Sequence, residues 1–121
     1  MKRLLVVGAH NVFRQSLAVA VEQAPDLEVV AQAGLLAEAR QLWRACDVAV
    51  VMDLLMPDGD GAQFVWELRS QSTPRRCSVL VLTESLAGED HIRTRAGGAD
   101  EVLSKGASLQ EIIDALKRLG V

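Results

Sequence analysis

A chain of 121 residues, half of them apolar, is long enough for one domain with its own core, which excludes a disordered segment. Its 3% aromatic content leaves that core to Val, Leu, Ala and Ile, and a net charge of −3 excludes the general basic footprint of a nucleic-acid binder. No apolar run approaches the ~20 residues of a membrane span, and Cys46 and Cys77 fit no metal-ligand or C-x-x-C spacing, so a soluble, cytoplasmic protein with reduced thiols is expected.

The first apolar run, "LLVV" (4–7), reads as a strand. Phe13, Leu17, Ala20 and Val21 then line one face of a helix that must stop before Pro25. "LEVVA" (27–31) is a second strand, and Leu35, Ala39, Leu42 and Trp43 mark a second helix. "VAVVM" (48–52) runs directly into Asp53, and Phe64, Val65 and Leu68 mark a third helix. "VLVL" (79–82) precedes a helix over roughly 85–96, for which Gly98 can serve as a left-handed cap. "EVL" (101–103) is the last strand. Leu109, Ile112, Ile113 and Leu116 then fall at i, i+3, i+4 and i+7, behind a capping box in "SLQE" (108–111).

Alternating strands and helices, with little polar alternation inside the strands, predict a (βα)₅ fold: a doubly wound, five-stranded parallel sheet of flavodoxin-like shape. Such folds bind ligands beyond the carboxyl ends of the strands, where the strand order reverses. The residues to watch are Gly8, Ala9 and His10 after the first strand, Asp53 after the third, Thr83 and Glu84 after the fourth, and Ser104 and Lys105 after the fifth. A carboxylate can attack phosphorus, a hydroxyl can bond a phosphoryl oxygen, and an ammonium can neutralise its charge. "VVGAHNVF" holds no glycine-rich phosphate loop, so an enzyme of flavodoxin-like shape is not expected.

The stretches "LLVVGAHNVFRQSLAVAV", "VAVVMDLLMPDGDG", "VLVLTES" and "GGADEVLSKGASLQEIIDAL", in register over essentially the whole chain, resemble the receiver domain of bacterial two-component response regulators, and within it the NarL-type branch. The resemblance implies that Asp53 matches the aspartate phosphorylated by a histidine kinase, Thr83 the switch hydroxyl, and Lys105 the lysine that pairs with the acyl phosphate. Leu55 lies where a backbone carbonyl would bind Mg²⁺. It further implies that residues 1–121 form the receiver domain of a longer transcription factor, with DNA contacted only through a C-terminal helix-turn-helix domain.

Two departures stand out. Gly8 and Ala9 replace the adjacent acids that hold Mg²⁺ in the family, and Val102 replaces the usual aromatic of the fifth strand. Asp53 and one carbonyl make a poor octahedral site, so Mg²⁺ binding is expected to be weak or absent, with no other cofactor. Asp58 and Asp60 are expected to serve the turn and the start of the third helix rather than a metal, and a direct Asp53–Lys105 ion pair is expected in place of the ion. The favoured reading is an atypical receiver acting without conventional Mg²⁺-dependent phosphorylation, through dimerisation or through a ligand or partner. A second reading keeps Asp53 as a conventional phosphoacceptor with a rebuilt metal site. A third makes the domain a small-molecule-gated module with a pocket floored by Gly8 and Ala9.

Among the remaining residues, His10 is assigned a structural role at a helix start, His91 a solvated helix position, and "PRRC" (74–77) an exposed turn. Trp43 and Trp66 are assigned half-buried packing. Val12 and Val19 fall off the core stripe of the first helix, which suggests a second apolar face for a homodimer or for a heterodimer with a related regulator.

Overall fold

A computed structural model describes residues 2–45, 49–70, 78–84, 94–95 and 97–119. In chain order the elements are β1 (Lys2–Val7), α1 (Asn11–Glu22), β2 (Leu27–Ala33), α2 (Leu36–Ala45), β3 (Ala49–Asp53), β4 (Leu55–Met56), β5 (Gly59–Asp60), α3 (Gly61–Ser70), β6 (Val79–Thr83), β7 (Glu101–Ser104) and α4 (Leu109–Arg118). The five apolar runs form one parallel sheet in the order β2-β1-β3-β6-β7. β4 and β5 form a separate antiparallel hairpin of two residues each, too short for any sequence period to register.

Strands without polar alternation need cover on both faces, and every residue of β3 and β6 is buried. Leu5, Val7, Val50, Met52, Val79 and Val81 pack with Leu36, Ala39, Phe64, Val65 and Leu68 from α2 and α3. Leu4, Val6, Val51, Leu80 and Leu82 pack with Leu17, Val21, Ile112, Ile113 and Leu116 from α1 and α4. β1 lies between β2 and β3, so the strand order reverses there. The register sets Val7 opposite Met52, Asp53 opposite Leu82 and Thr83 opposite Ser104. The residues that follow those strands therefore meet at one edge.

α1 ends at Glu22, ahead of Pro25. The capping box is present in both directions, Glu111 N–H to Ser108 Oγ and Ser108 N–H to Glu111 Oε1. Gly98 has φ +112, and its N–H donates to the Arg95 carbonyl at 3.0 Å. Of the helix expected over 85–96, only Thr94 and Arg95 are described; the rest of it, His91, Cys46, Cys77 and "PRRC" (74–77) lie outside the described residues. Among the described residues no helix is long and apolar enough to cross a membrane.

Three expectations are corrected. α2 buries Leu36 rather than Leu35, because Leu35 is the residue before the helix, its carbonyl accepting from Ala39 N–H, and its side chain stays 40% exposed. Trp66 is exposed on α3 rather than half-buried, whereas Trp43 does pack against the core. Asp60 starts α3 as expected, accepting from Ala62 N–H at 2.8 Å. Asp58 instead caps α2: its two carboxylate oxygens accept from Leu36 N–H at 2.8 Å and Ala37 N–H at 3.0 Å.

Those backbone donors, with a smaller contribution from Arg40, hold the Asp58 carboxyl below its usual range. A carboxyl depressed in the folded state stabilises above its unfolded pKa and loses that effect as pH falls through its folded value. Asp58→Ala is therefore expected to lower Tm at pH 7, the gap to the unmodified chain closing as the scans move into acid. A gap independent of pH would assign the loss to packing instead.

At the opposite end of the sheet, the buried Lys2 ammonium donates to the Leu116 carbonyl at 2.6 Å and to the Leu119 carbonyl, satisfying the open end of α4. Its burial lowers the Lys2 pKa.

Candidate functional site

β3 delivers Asp53 to the sheet edge with only 3% of its surface exposed. Leu54 N–H donates to the Leu82 carbonyl at 2.9 Å and Lys105 N–H to the Thr83 carbonyl at 2.7 Å, so the backbones just past β3 and β7 are fixed by the strand between them. The Lys105 ammonium lies 3.3 Å from Asp53 Oδ2, the ion pair anticipated from the sequence. It also lies 3.3 Å from His10 Nδ1 and 3.9 Å from Glu84 Oε1. Asp53 Oδ1 is fully buried and has no hydrogen-bond partner among the described residues. Thr83 is buried beside it, and Val102 is buried in the core.

Gly8 is buried and Ala9 is exposed. A Cβ built on Gly8 would lie 3.0 Å from Asp53 Oδ2 and 3.7 Å from Arg14 Cγ, so the Asp53 carboxylate rests almost against the Gly8 backbone. The cavity at this edge, about 190 Å³, is lined by His10, Asp53, Leu54, Leu55, Leu82, Thr83, Glu84 and Lys105. Gly8 and Ala9 are not among its walls, which corrects the expectation of a pocket floored by them. Leu55, 67% exposed, is one of the residues lining this cavity.

His10 stands at the helix start as expected. It is the N-cap residue of α1, its carbonyl accepting from Arg14 N–H, but its side chain makes no capping bond and faces Lys105. Arg14 was not singled out in the sequence. Its guanidinium donates to the Gly8 carbonyl and to Asn11 Oδ1 (3.2 Å), holding the β1–α1 turn. Nothing local distinguishes it from any other charged residue of an amphipathic helix, so no sequence signal would have found it.

The carboxylates near Asp53 are otherwise engaged. Asp58 and Asp60 accept from backbone N–H groups of α2 and α3, and the exposed Glu84 approaches Lys105. Among the described residues no group of three or more His, Cys, Asp or Glu side chains is placed to hold a metal ion. Mg²⁺ takes oxygen ligands in octahedral geometry and dehydrates reluctantly, so one carboxylate already paired with an ammonium is a poor fit to it.

A buried aspartate, a hydroxyl and a lysine at adjacent strand ends agree with the comparisons. The response regulator receiver domain family matches residues 4–117. Over 99% of its length the chain is 33% identical to the DNA-binding transcriptional activator DevR/DosR of Mycobacterium tuberculosis, of which it covers 55%. The signal receiver domain of the NarL response regulator of Mycobacterium tuberculosis superposes with a TM-score of 0.86 at 28% identity, over 96% of this chain and 93% of that one. The beryllofluoride-activated NtrC4 receiver domain dimer gives 0.82 at 28% identity, over 97% and 94%. The chain spans about half the length of the curated relatives it matches. With nearly its whole length matched, it belongs to the response regulator receiver domains.

Proposed function

We propose that this receiver controls its transcription factor without conventional Mg²⁺-dependent phosphorylation of Asp53, and without enzymatic or cofactor chemistry of its own. The observation that carries this reading is Gly8: where an acid would project toward the ion, a backbone Cα borders the Asp53 carboxylate directly. Transfer of a phosphoryl group to a carboxylate needs the developing charge neutralised. In place of the ion, Asp53 has the Lys105 ammonium at 3.3 Å. Output then depends on contacts rather than on an acyl phosphate. Val12 and Val19, 77% and 60% exposed on α1, supply an apolar face for a homodimer or a related regulator. The 190 Å³ cavity is an alternative, ligand-controlled input of small-molecule size. On this reading DNA is reached through a further domain; the similar DevR/DosR protein is a DNA-binding transcriptional activator.

The second reading, a conventional phosphoacceptor served by a histidine kinase, is favoured by one feature: among the described residues nothing donates to Asp53 Oδ1. Incubation with acetyl phosphate and Mg²⁺, read by intact mass, separates the two. The unmodified chain is expected to show no adduct, and the double variant Gly8→Asp, Ala9→Asp is expected to gain one. The new side chain can be accommodated because its nearest neighbour, 3.0 Å away, is the movable end of a carboxylate. An adduct on the unmodified chain that disappears in Asp53→Asn overturns the proposal.

A further inference from the structure

We infer that Lys2 is a latch on the end of α4: it holds the last helical turn and Leu119 to β1, so that the segment leaving the helix opens and closes as a unit of its own, separately from the core. The inference goes beyond the Asp53 site. It rests on the proposed reading only for its regulatory meaning, in which a further domain would be joined through the segment that follows α4.

A helix leaves its last four carbonyls without partners of its own. Many helices close that end with a left-handed glycine, which folds the chain back over those carbonyls. α4 ends differently. Its C-cap, Leu119, is extended, with φ −63 and ψ 121, and the Leu119 N–H turns back to the Ala115 carbonyl at 3.1 Å. Water does not reach the open carbonyls on the inner side, because Leu116 is fully buried and Leu119 nearly so. The Lys2 ammonium takes both, donating to the Leu116 carbonyl at 2.6 Å and to the Leu119 carbonyl.

The donor is anchored where the sheet is firmest. Lys2 opens β1, which pairs with β2 on one side and β3 on the other, and its own N–H donates to the Asp26 carbonyl at 2.8 Å. Among the described residues its ammonium is paired with no carboxylate. The charge is held by the two carbonyls and by the negative end of the helix. Lys117 and Arg118, the cations of the last turn itself, are exposed. One side chain therefore ties an inner strand to the last turn of the last helix. Without it, two inward carbonyls have no donor, and that turn unwinds into water. The core is held by other means. One turn earlier, Ile112 and Ile113 belong to the cluster of Leu4, Val51 and Leu80 and do not need Lys2 to stay there.

Amide hydrogen exchange of the 121-residue chain tests this. Leu119 N–H reports the helix end, and Leu54 N–H, bonded to the Leu82 carbonyl at 2.9 Å, reports the core. In Lys2→Met, which keeps an unbranched side chain but no donor, Leu119 is expected to exchange roughly tenfold faster relative to Leu54, the factor that one lost hydrogen bond supplies. Lys117→Met removes a cation from the same turn at an exposed position and is expected to leave that ratio unchanged. An unchanged ratio in Lys2→Met, whether neither amide responds or both accelerate together, overturns the inference. So does a Lys2→Met chain that fails to fold, because the contact then serves the whole domain. An equal rise in Lys117→Met overturns it as well, by assigning the effect to charge at the helix end rather than to the buried contact. No Mg²⁺ or phosphoryl donor is present, so this result and the mass test above fail independently.

Discussion

Replacing Lys105 by Met is expected to destabilise the fold by about 3 kcal/mol at neutral pH, whereas Asp53→Asn costs less than ~1 kcal/mol or is stabilising. The asymmetry follows from where the two groups sit. Asp53 is 3% exposed, with Lys105 on one oxygen and, among the described residues, no donor on the other. Removing the ammonium leaves a buried, uncompensated anion. Removing the anion instead leaves a lysine that can turn outward and hydrate. The double variant is expected to recover most of the loss, giving a coupling of roughly 2 kcal/mol. Urea unfolding of the four proteins at pH 7 measures it. The cycle also shows what Asp53 is kept for. A carboxylate retained for stability would make the two single losses equal, and that result would assign Asp53 to the scaffold rather than to regulation.

The sheet edge was legible because its chemistry is written at the ends of apolar runs. Asp53 and Thr83 end their strands and Lys105 directly follows one, and a parallel register brings strand ends together whatever the side chains are. The Ser108–Glu111 capping box was legible because its donors and acceptors lie three residues apart. What escaped depends on tertiary neighbours. Asp58 caps a helix 22 residues upstream of it, and Lys2 closes one more than 110 residues away. Arg69 donates to the Gly98 carbonyl and to Asp100 Oδ2, and Asp100 in turn accepts from Val79 N–H, a clamp across three segments with no local signature. In "LL" at 35–36, periodicity alone cannot choose which leucine faces the core, and the distant Asp58 cap settles it. His10 stands at the helix start, as its place in the chain indicated, while its ring faces Lys105, 95 residues on.

Gly61→Ala provides the second large effect, and its sign opposes helix propensity. Gly61 is the first residue of α3, where exchanging Gly for Ala in a helix ordinarily gains up to ~1 kcal/mol. Here a Cβ would lie 2.7 Å from the Asp53 carbonyl oxygen, 2.8 Å from the Leu54 carbonyl oxygen and 3.0 Å from Leu54 Cα. All three are backbone atoms, so no rotamer relieves the clash. The Gly61 N–H also donates to the Leu54 carbonyl at 2.6 Å, tying α3 to the segment that carries Asp53. The methyl must push that segment and the helix apart, losing the bond and loosening packing around Phe64 and Val65, both fully buried. A net cost of about 3 kcal/mol is expected, which lowers Tm by about 10 °C for a domain of this size. Gly106→Ala is the matched control. Its new Cβ would meet only Ser104 Oγ, at an ordinary 3.5 Å, so a change under ~1 kcal/mol, in the stabilising direction, is expected from the stiffer unfolded chain. Because the displaced backbone is that of Asp53 itself, Gly61→Ala should also disturb the Asp53–Lys105 contact, seen as a shift of the Lys105 ¹³Cε resonance toward that of an exposed lysine. A Gly61→Ala protein melting within about 2 °C of the unmodified chain would mean that α3 and the Asp53 segment are not in rigid contact.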